Sequence, residues 1–390
     1  MITSMLRRAM LSGDGSTLSL DFTQMSTLAD LTSRGFTFSR STSGTFINAN
    51  GLVATATAGN PRFEYDPNGN PRGILIEGNA TNLVYHSDTF RLTAVAAEPF
   101  WADSASLSRG NETAPDGTAN AAVNFVAIGT AGTVIQTAAV GTSANRTFSF
   151  WAKRTGGGTV EYTLDNGSTW TAVTITANWV RYTATATNAN HRVGFRIATG
   201  AGTSIWGAQL EAGTGSTSYV PSTQSQGTRG FDDCRMSNIT ALNYSTATGT
   251  LFYSGRFTQF NASSFPNRCG FLFQSLDTRA MTMLTSANTL IPSVSSSTTL
   301  VTASQSVTLN SDLRVAWSFD AALSTAEVKS TLNGGAIVNS SPSGISASNT
   351  PDYFMLGQNG YGNVFPAGTV KQVKYWPTVL PTATMQSITT

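Results

Sequence analysis

The chain reads as an all-β protein, with two antiparallel β-sandwich modules preceded by a short β-rich attachment arm. Three observations predict this. Apolar and polar residues alternate at period two through most of the chain. Gly- and Asn-rich turn signals punctuate those runs at short intervals. No segment of useful length shows a helical period.

Residues 1–82 form the arm. Leu18, Leu20 and Phe22 alternate with Ser19 and Asp21, and Phe36, Phe38 and Phe46 alternate around the turn Ser41-Thr42-Ser43-Gly44. Asn50-Gly51 is a hairpin signal. These strands are too few to bury themselves. The arm is therefore expected to pack on a partner or a symmetry mate, and a closed homo-oligomer is the expected form. Turn chemistry at Asn70-Pro71 and Gly73 bends the chain before Ile74-Leu75-Ile76, and a polar Gly78-Asn79-Ala80-Thr81-Asn82 hinge follows.

Residues 83–212 carry the first sandwich. Phe148 and Phe150, Val160, Tyr162 and Leu164, Val180 and Tyr182, Val193, Phe195 and Ile197, and Trp206, Ala208 and Leu210 each interleave with small or polar residues. Gly156-Gly157-Gly158 and Asp165-Asn166-Gly167 mark turns between them. Residues 213–238 are rich in Ser, Thr, Gln and Gly up to Gly230 and contain Pro221, so they read as an extended linker. Alternation resumes in residues 239–390, at Leu251, Tyr253 and Phe257, at Phe271 and Phe273, and at Val315, Trp317 and Phe319. Asn333-Gly334-Gly335 is a hairpin turn, and Val370 to Trp376 is a last strand stopped by Pro377, with a tail that holds one helical turn. No fixed-period repeat occurs, so a propeller or β-helix is not indicated.

Composition narrows the function. Charged residues make up only 11% of the 390, against roughly 25% in an ordinary soluble domain. Net charge is +2, and no Lys/Arg run exceeds Arg7-Arg8, so no nucleic-acid partner is expected. No apolar run approaches the ~20 residues that cross a bilayer, and no sustained apolar region follows Met1 to Arg8, so neither membrane insertion nor a signal peptide is expected. Two cysteines, Cys234 and Cys269, are compatible with one disulfide or with two separate buried thiols.

The chemistry-bearing residues are sparse. His86 and His191 are the only histidines, and no Ser, Cys or Asp pattern makes a triad with them. Glycan cleavage needs only two carboxylates, but Glu77, Glu161, Glu211, Asp165 and Asp320 form no recognisable pair, so no catalytic residue is assigned. Asp232-Asp233 and Asp14-Gly15 are compatible with a structural calcium ion and equally with turns. No cofactor is expected.

Two stretches carry a resemblance. Phe63 to Pro67, Pro71 to Glu77 and Thr81-Asn82-Leu83 are similar to the leading segment of many tailed-bacteriophage fibre and head-fibre proteins. Trp206 to Gly213, then Ser218 to Thr223 and Thr228-Arg229, resemble the closing strand and exit of the carbohydrate-binding-like jelly roll of those proteins. Residues 239–390 resemble a concanavalin-A/laminin-G sandwich by pattern alone. The resemblance implies a virion surface protein made in the host cytoplasm: a tail fibre, tail spike or head fibre. It would be trimeric, attached to other virion proteins through its arm and binding host-surface glycans. A glycan-degrading tailspike and a purely architectural capsid or tail component are the alternatives.

If Phe148, Phe150, Tyr162, Tyr182, Phe195, Ala208 and Leu210 face the core, the other face presents Trp151, Glu161, Arg181, Arg192, Arg196, Gln209 and Glu211. An aromatic ring among charged donors and acceptors suits a sugar, which offers C–H faces and hydroxyls. The competing reading is a face covered by a loop or a subunit. Trp101 and Trp170 are further candidates, placed on loops.

Overall fold

The structure is a computed structural model that describes residues 13–90, 101–136, 140–237, 239, 242–259, 267–274, 279–285, 289–295, 300–321, 327–340, 351–357 and 367–390. Antiparallel sheets dominate it, as the period-two pattern predicts. The chain divides into two compact units, one of residues 1–51, 56–78 and 230–390 and one of residues 52–55 and 79–229.

The first unit does not follow the expected boundaries. One of its two eight-stranded sheets runs Val338–Asn339, Glu327–Leu332, Asp312–Asp320, Thr248–Gln259, Ala367–Trp376, Pro71–Ile76, Arg62–Tyr65, and Leu18–Asp21 also pairs with Ala367–Trp376. Its other sheet begins Phe36–Ser39, Asp233–Met236, Tyr353–Leu356, Asn267–Gln274. The arm is therefore part of the C-terminal sandwich, and residues 239–390 are not a sandwich by themselves. Leu18 lies opposite Tyr375, and Phe36 opposite Met236.

One core joins both ends of the sequence. Leu18, Leu20, Phe22, Phe36 and Ile74 are buried with Leu251, Val315, Trp317 and Tyr375. Phe22 meets Phe36 edge-on, and Phe36 meets Phe354 the same way. Phe22 and Phe36 find this cover within their own chain, so the reason for expecting a partner there falls away.

Cys234 sits in this core as a free buried thiol, its pKa pushed well up by burial. The side chain of Cys269 lies outside the described residues. A capping box at Thr27 and Asp30 starts a short helix, Leu28–Ser33, that period-two reading does not anticipate.

Four buried charges fasten the N-terminal strands to the returning chain. Asp232 accepts hydrogen bonds from Arg40 Nη1 (2.9 Å), Arg62 Nη2 (2.5 Å) and the Glu77 backbone N–H (2.8 Å). Glu77 takes Arg62 Nη1 at 2.6 Å. All four side chains are sealed from solvent. Burial works against the Arg62 charge, but Asp232 and Glu77 outweigh it and push its pKa up. Asp233 is engaged by Arg235, and Asp14 by Lys374 Nζ at 2.7 Å.

Glu64, nearby on Arg62–Tyr65, has its pKa pushed up to about 7, mainly by burial and partly by the Glu77 charge, against one hydrogen bond from the Ile47 N–H. A carboxyl raised in the folded state stabilises fully below its unfolded pKa, and that stability is lost as pH rises through the folded value. The gap between 4.5 and about 7 is worth about 3 kcal/mol at roughly 1.4 kcal/mol per pH unit. Because Glu64 keeps part of its surface, solvent trims this to about 2 kcal/mol. The parent protein is expected to lose that much between pH 4.5 and pH 7, and Glu64→Gln to abolish the slope. Urea midpoints at pH 4.5 and pH 7.5 check it, and equal slopes in the two proteins would exclude Glu64 as the cause.

The second unit is a sandwich of two five-stranded sheets. The first runs Val180–His191, Val140–Arg154, Gly202–Ala212, Ala122–Ala127, Leu107–Glu112, and the second Thr171–Val173, Val160–Thr163, Gly194–Ile197, Gly132–Gln136, Trp101–Asp103. Phe148, Phe150, Phe195, Ala208 and Leu210 fill the space between them, with Tyr162 and Tyr182 packed against that core, as alternation predicts. Asn166 and Gly167 take the left-handed backbone that their turn demands.

Residues 213–229, expected to be linker, complete this unit. Asn82 shows how: its Nδ2 donates to the carbonyls of Ala208 (3.0 Å) and Val220 (2.9 Å), and its Oδ1 accepts from the N–H of Val84 and Leu210. Thr81 faces Thr228 in a short two-stranded pairing.

Candidate functional site

The outward face of the first sheet is roofed. Trp151 is packed by Trp206 and Tyr219, with the Arg181 guanidinium 4.5 Å from its ring centre. A strap of residues 213–222 lies across them. Arg181 Nη1 donates to the Thr217 carbonyl at 2.7 Å, and Gln209 Nε2 to the Ser218 carbonyl at 3.2 Å. The Val220 N–H donates to Gln209 Oε1 at 2.6 Å, and Thr217 donates through N–H and hydroxyl to the Glu211 carboxylate. Gln209 is fully buried, and Trp151 is 7% exposed.

Gly207 is required beneath the roof, because its φ is +64° and a Cβ there would come within 2.9 Å of the Trp151 ring. Burial, outweighing hydrogen bonds from Thr217 and Gln209, pushes the Glu211 pKa up. Trp151, Arg181 and Gln209 therefore do not meet solvent as a sugar platform; the covered-face reading holds for them. Trp101 is not on a loop either. It is a core residue on Trp101–Asp103, 4.7 Å from Phe90 by ring centres, and its indole N–H donates to the Tyr85 carbonyl.

Glu161 and Arg196 lie on the second sheet, with Trp170 and Arg192 just outside its strands, so Glu161 and Arg181 do not share a face. Glu161 stands directly across from Arg196, and Arg196 from Thr133. Arg196 Nε donates to Glu161 Oε2 at 2.5 Å, and its guanidinium lies 4.9 Å from the centre of the Trp170 ring. The hydrogen bond with Glu161 pushes the Arg196 pKa up. The Arg196 side chain is 37% exposed and that of Glu161 20%. No other partner holds either among the described residues, which leaves both Arg196 amino groups and Glu161 Oε1 for a ligand. Donors and an acceptor beside an indole are what adjacent sugar hydroxyls require.

The Asp165–Thr169 turn positions the indole. Asp165 accepts from the Thr163 hydroxyl (2.7 Å) and from the N–H (2.9 Å) and hydroxyl (2.6 Å) of Thr169. Burial raises the Asp165 pKa, and these bonds outweigh it and hold the carboxyl below its usual value. The Trp170 ring lies against Gly167, where a Cβ would approach within 3.0 Å. Arg192 sits at the root of the turn, where its backbone N–H donates to the Leu164 carbonyl and its carbonyl accepts from Asn166.

The same loop borders a cavity of about 140 Å³, lined in part by Tyr162, Asp165, Thr169, Thr185 and Asn188. That is below the ~300 Å³ usual for a small-molecule pocket, so the half-buried Trp170 indole beside Arg196, not the cavity, is the candidate surface. Asp165 and Thr169 were readable in the sequence only as a turn, and nothing there signals that they set an indole.

His86 and His191 are both buried. Burial pulls the His191 pKa down, against a contact to the Ala144 carbonyl at 3.1 Å. Among the described residues no three His, Cys, Asp or Glu side chains gather as a metal site.

No protein-family model and no curated protein matches the sequence. Among solved structures the chain is similar to the carbohydrate-binding module CBM40 of the Ruminococcus gnavus IT-sialidase bound to α2,3-sialyllactose, at 16% identity over 37% of this chain and 83% of that one, with a TM-score of 0.30. It is similar to the binding domain of botulinum neurotoxin serotype D/C at 9% identity over 40% of each chain, with a TM-score of 0.32. Domain 4 of AbnA, an extracellular arabinanase from Geobacillus stearothermophilus in complex with arabinotriose, matches at 13% identity over 45% of this chain and 82% of that one, with a TM-score of 0.32. Likenesses at these scores carry no argument about function.

Proposed function

We propose that this chain is a non-enzymatic bacteriophage virion surface protein that holds host glycans on the Trp170–Arg196–Glu161 face of its 79–229 sandwich. The observation that carries the reading is an exposed guanidinium set by an indole on one side and a carboxylate on the other, with both amino groups unspent. The low charge and the fibre-like motifs support the virion setting. Those motifs have a structural role: Thr81-Asn82-Leu83 and Trp206 to Gly213 knit the strap to the sheet through Asn82 and Gln209.

Arg196→Ala is expected to leave the melting curve unchanged, since an exposed Arg truncation disturbs folding little. It should weaken glycan binding about 10- to 100-fold, the equivalent of one or two charge-assisted hydrogen bonds. A glycan array beside a cell-adsorption assay reads this out, with Trp170→Ala as the second variant. Unchanged binding in both variants at unchanged stability would remove this face. Cleavage of purified host polysaccharide would overturn the non-enzymatic part, and labelling of intact particles tests the virion setting.

A further inference from the structure

A second site lies in the other unit, on the sheet that holds Asp312–Asp320 and Ala367–Trp376. A cavity of about 310 Å³ opens there, with Asp312, Arg314, Asn333 and Lys371 among its lining and Thr389 and Thr390 forming one wall. Asp312–Asp320 puts Asp312 and Arg314 into it and Ala367–Trp376 puts Lys371, while Arg256 of Thr248–Gln259 reaches Asp312. Asp312–Asp320 and Thr248–Gln259 pair so that Arg256 stands opposite Asp312 and Ser254 opposite Arg314. On the far side of Thr248–Gln259 the register to Ala367–Trp376 slips between Ser254 and Gly255, which leaves Lys371 as an extra, unpaired residue. Such a bulge re-aims a side chain. Gly255 permits the close approach, because a Cβ there would come within 2.2 Å of the Thr369 carbonyl.

The charges do not balance. Asp312 accepts from Arg256 Nε at 3.0 Å and from Lys371 Nζ at 2.5 Å. Burial pushes the Asp312 pKa up, but Lys371 and Arg256 more than offset this and hold it below the ordinary value. The Arg314 side chain is exposed and has no partner among the described residues. Arg314 and Lys371 line the cavity against Asp312 alone, and Arg256 reaches the same carboxylate from the neighbouring strand, so the cationic side chains outnumber the acidic one. Arg72, close enough to feel Arg256 and Asp312, adds a further guanidinium that Glu64 and Asp66 offset.

We propose that this cavity binds the phosphate group of a phosphorylated saccharide. Its volume suits one monosaccharide unit. Arg and Lys donors match phosphate oxygens, and a group carrying about −1.5 to −2 charges answers the local excess better than a single carboxylate. The site is separate from the Trp170 face and needs no neutral-sugar platform.

Calorimetric titration of the full chain with glucose 1-phosphate, inorganic phosphate and glucose tests it. The expected result is binding of glucose 1-phosphate at least tenfold tighter than glucose, weakening as salt rises. Arg314→Glu should lose at least tenfold of that binding, and Arg314→Lys should keep most of it. Inorganic phosphate binding as tightly as the sugar phosphate would overturn the saccharide part. Equal binding of glucose and glucose 1-phosphate, no binding, or an Arg314→Glu protein that binds like the parent would overturn the site. Arg314 is exposed, so folding should survive; melting curves confirm it, and Arg314→Gln replaces Arg314→Glu if its melting falls. Arg314→Glu is expected to leave neutral-glycan binding at Arg196 intact, which separates failure here from failure there.

Discussion

Asp232→Ala is expected to destabilise the first unit by about 3–5 kcal/mol, the cost of removing one partner from a buried ion pair. Three hydrogen bonds end on this carboxylate, from Arg40, Arg62 and the Glu77 N–H. Without it Arg40 keeps only the carbonyls of Thr42, Ala56 and Thr57 and loses its buried counter-charge. Domains of this kind hold about 5–15 kcal/mol in total, so the loss is a large share. Urea denaturation followed by tryptophan fluorescence measures it, and a loss below about 1 kcal/mol would show that the network adds nothing net. Asp232→Asn, which keeps the shape, separates lost charge from lost packing. The second unit should melt as before, because none of the four side chains belongs to it.

Residues 230–390 expressed alone are expected not to fold, whereas residues 79–229 alone should melt cooperatively. Without residues 1–78 the Ala367–Trp376 strand loses both Leu18–Asp21 and Pro71–Ile76 as partners, and Asp233–Met236 loses Phe36–Ser39. The core loses Leu18, Leu20, Phe22, Phe36, Phe63 and Ile74 together. At roughly 1.5–3 kcal/mol for each large buried side chain, those six are worth about 9–18 kcal/mol, as much as the whole stability of an ordinary domain. Circular dichroism and thermal scans of the two fragments check both halves. A cooperative transition in 230–390 would mean that the arm is dispensable after all.

Much of the candidate face was readable as residue types but not as a place. Alternation assigned Phe148, Phe150, Phe195 and Leu210 to the core correctly, because side chains on a strand point to opposite faces whatever the strand pairs with. The same rule marks Trp151, Glu161, Arg181 and Arg196 as outward-facing without saying on which sheet. A sandwich has two outer faces, and the pairing of Val160–Thr163 with Gly194–Ile197 puts Glu161 beside Arg196 and away from Trp151. The strap was missed because its Ser, Thr and Gly are also the composition of a linker. It is ordered by its backbone, whose carbonyls and N–H groups satisfy Arg181, Gln209 and Glu211.

The sequence by itself determined the local terms: strand alternation, the left-handed turns at Asn166-Gly167 and Asn333-Gly334, low charge, and the residue types of a sugar-binding face. Each depends on a few neighbouring residues and on backbone sterics. Tertiary structure decided which segments share a core, which face is roofed and where charge accumulates. Those outcomes rest on pairings such as Leu18 with Tyr375 and Arg62 with Asp232, which join residues far apart in the chain. Period-two alternation constrains the face of each strand and leaves its neighbour open.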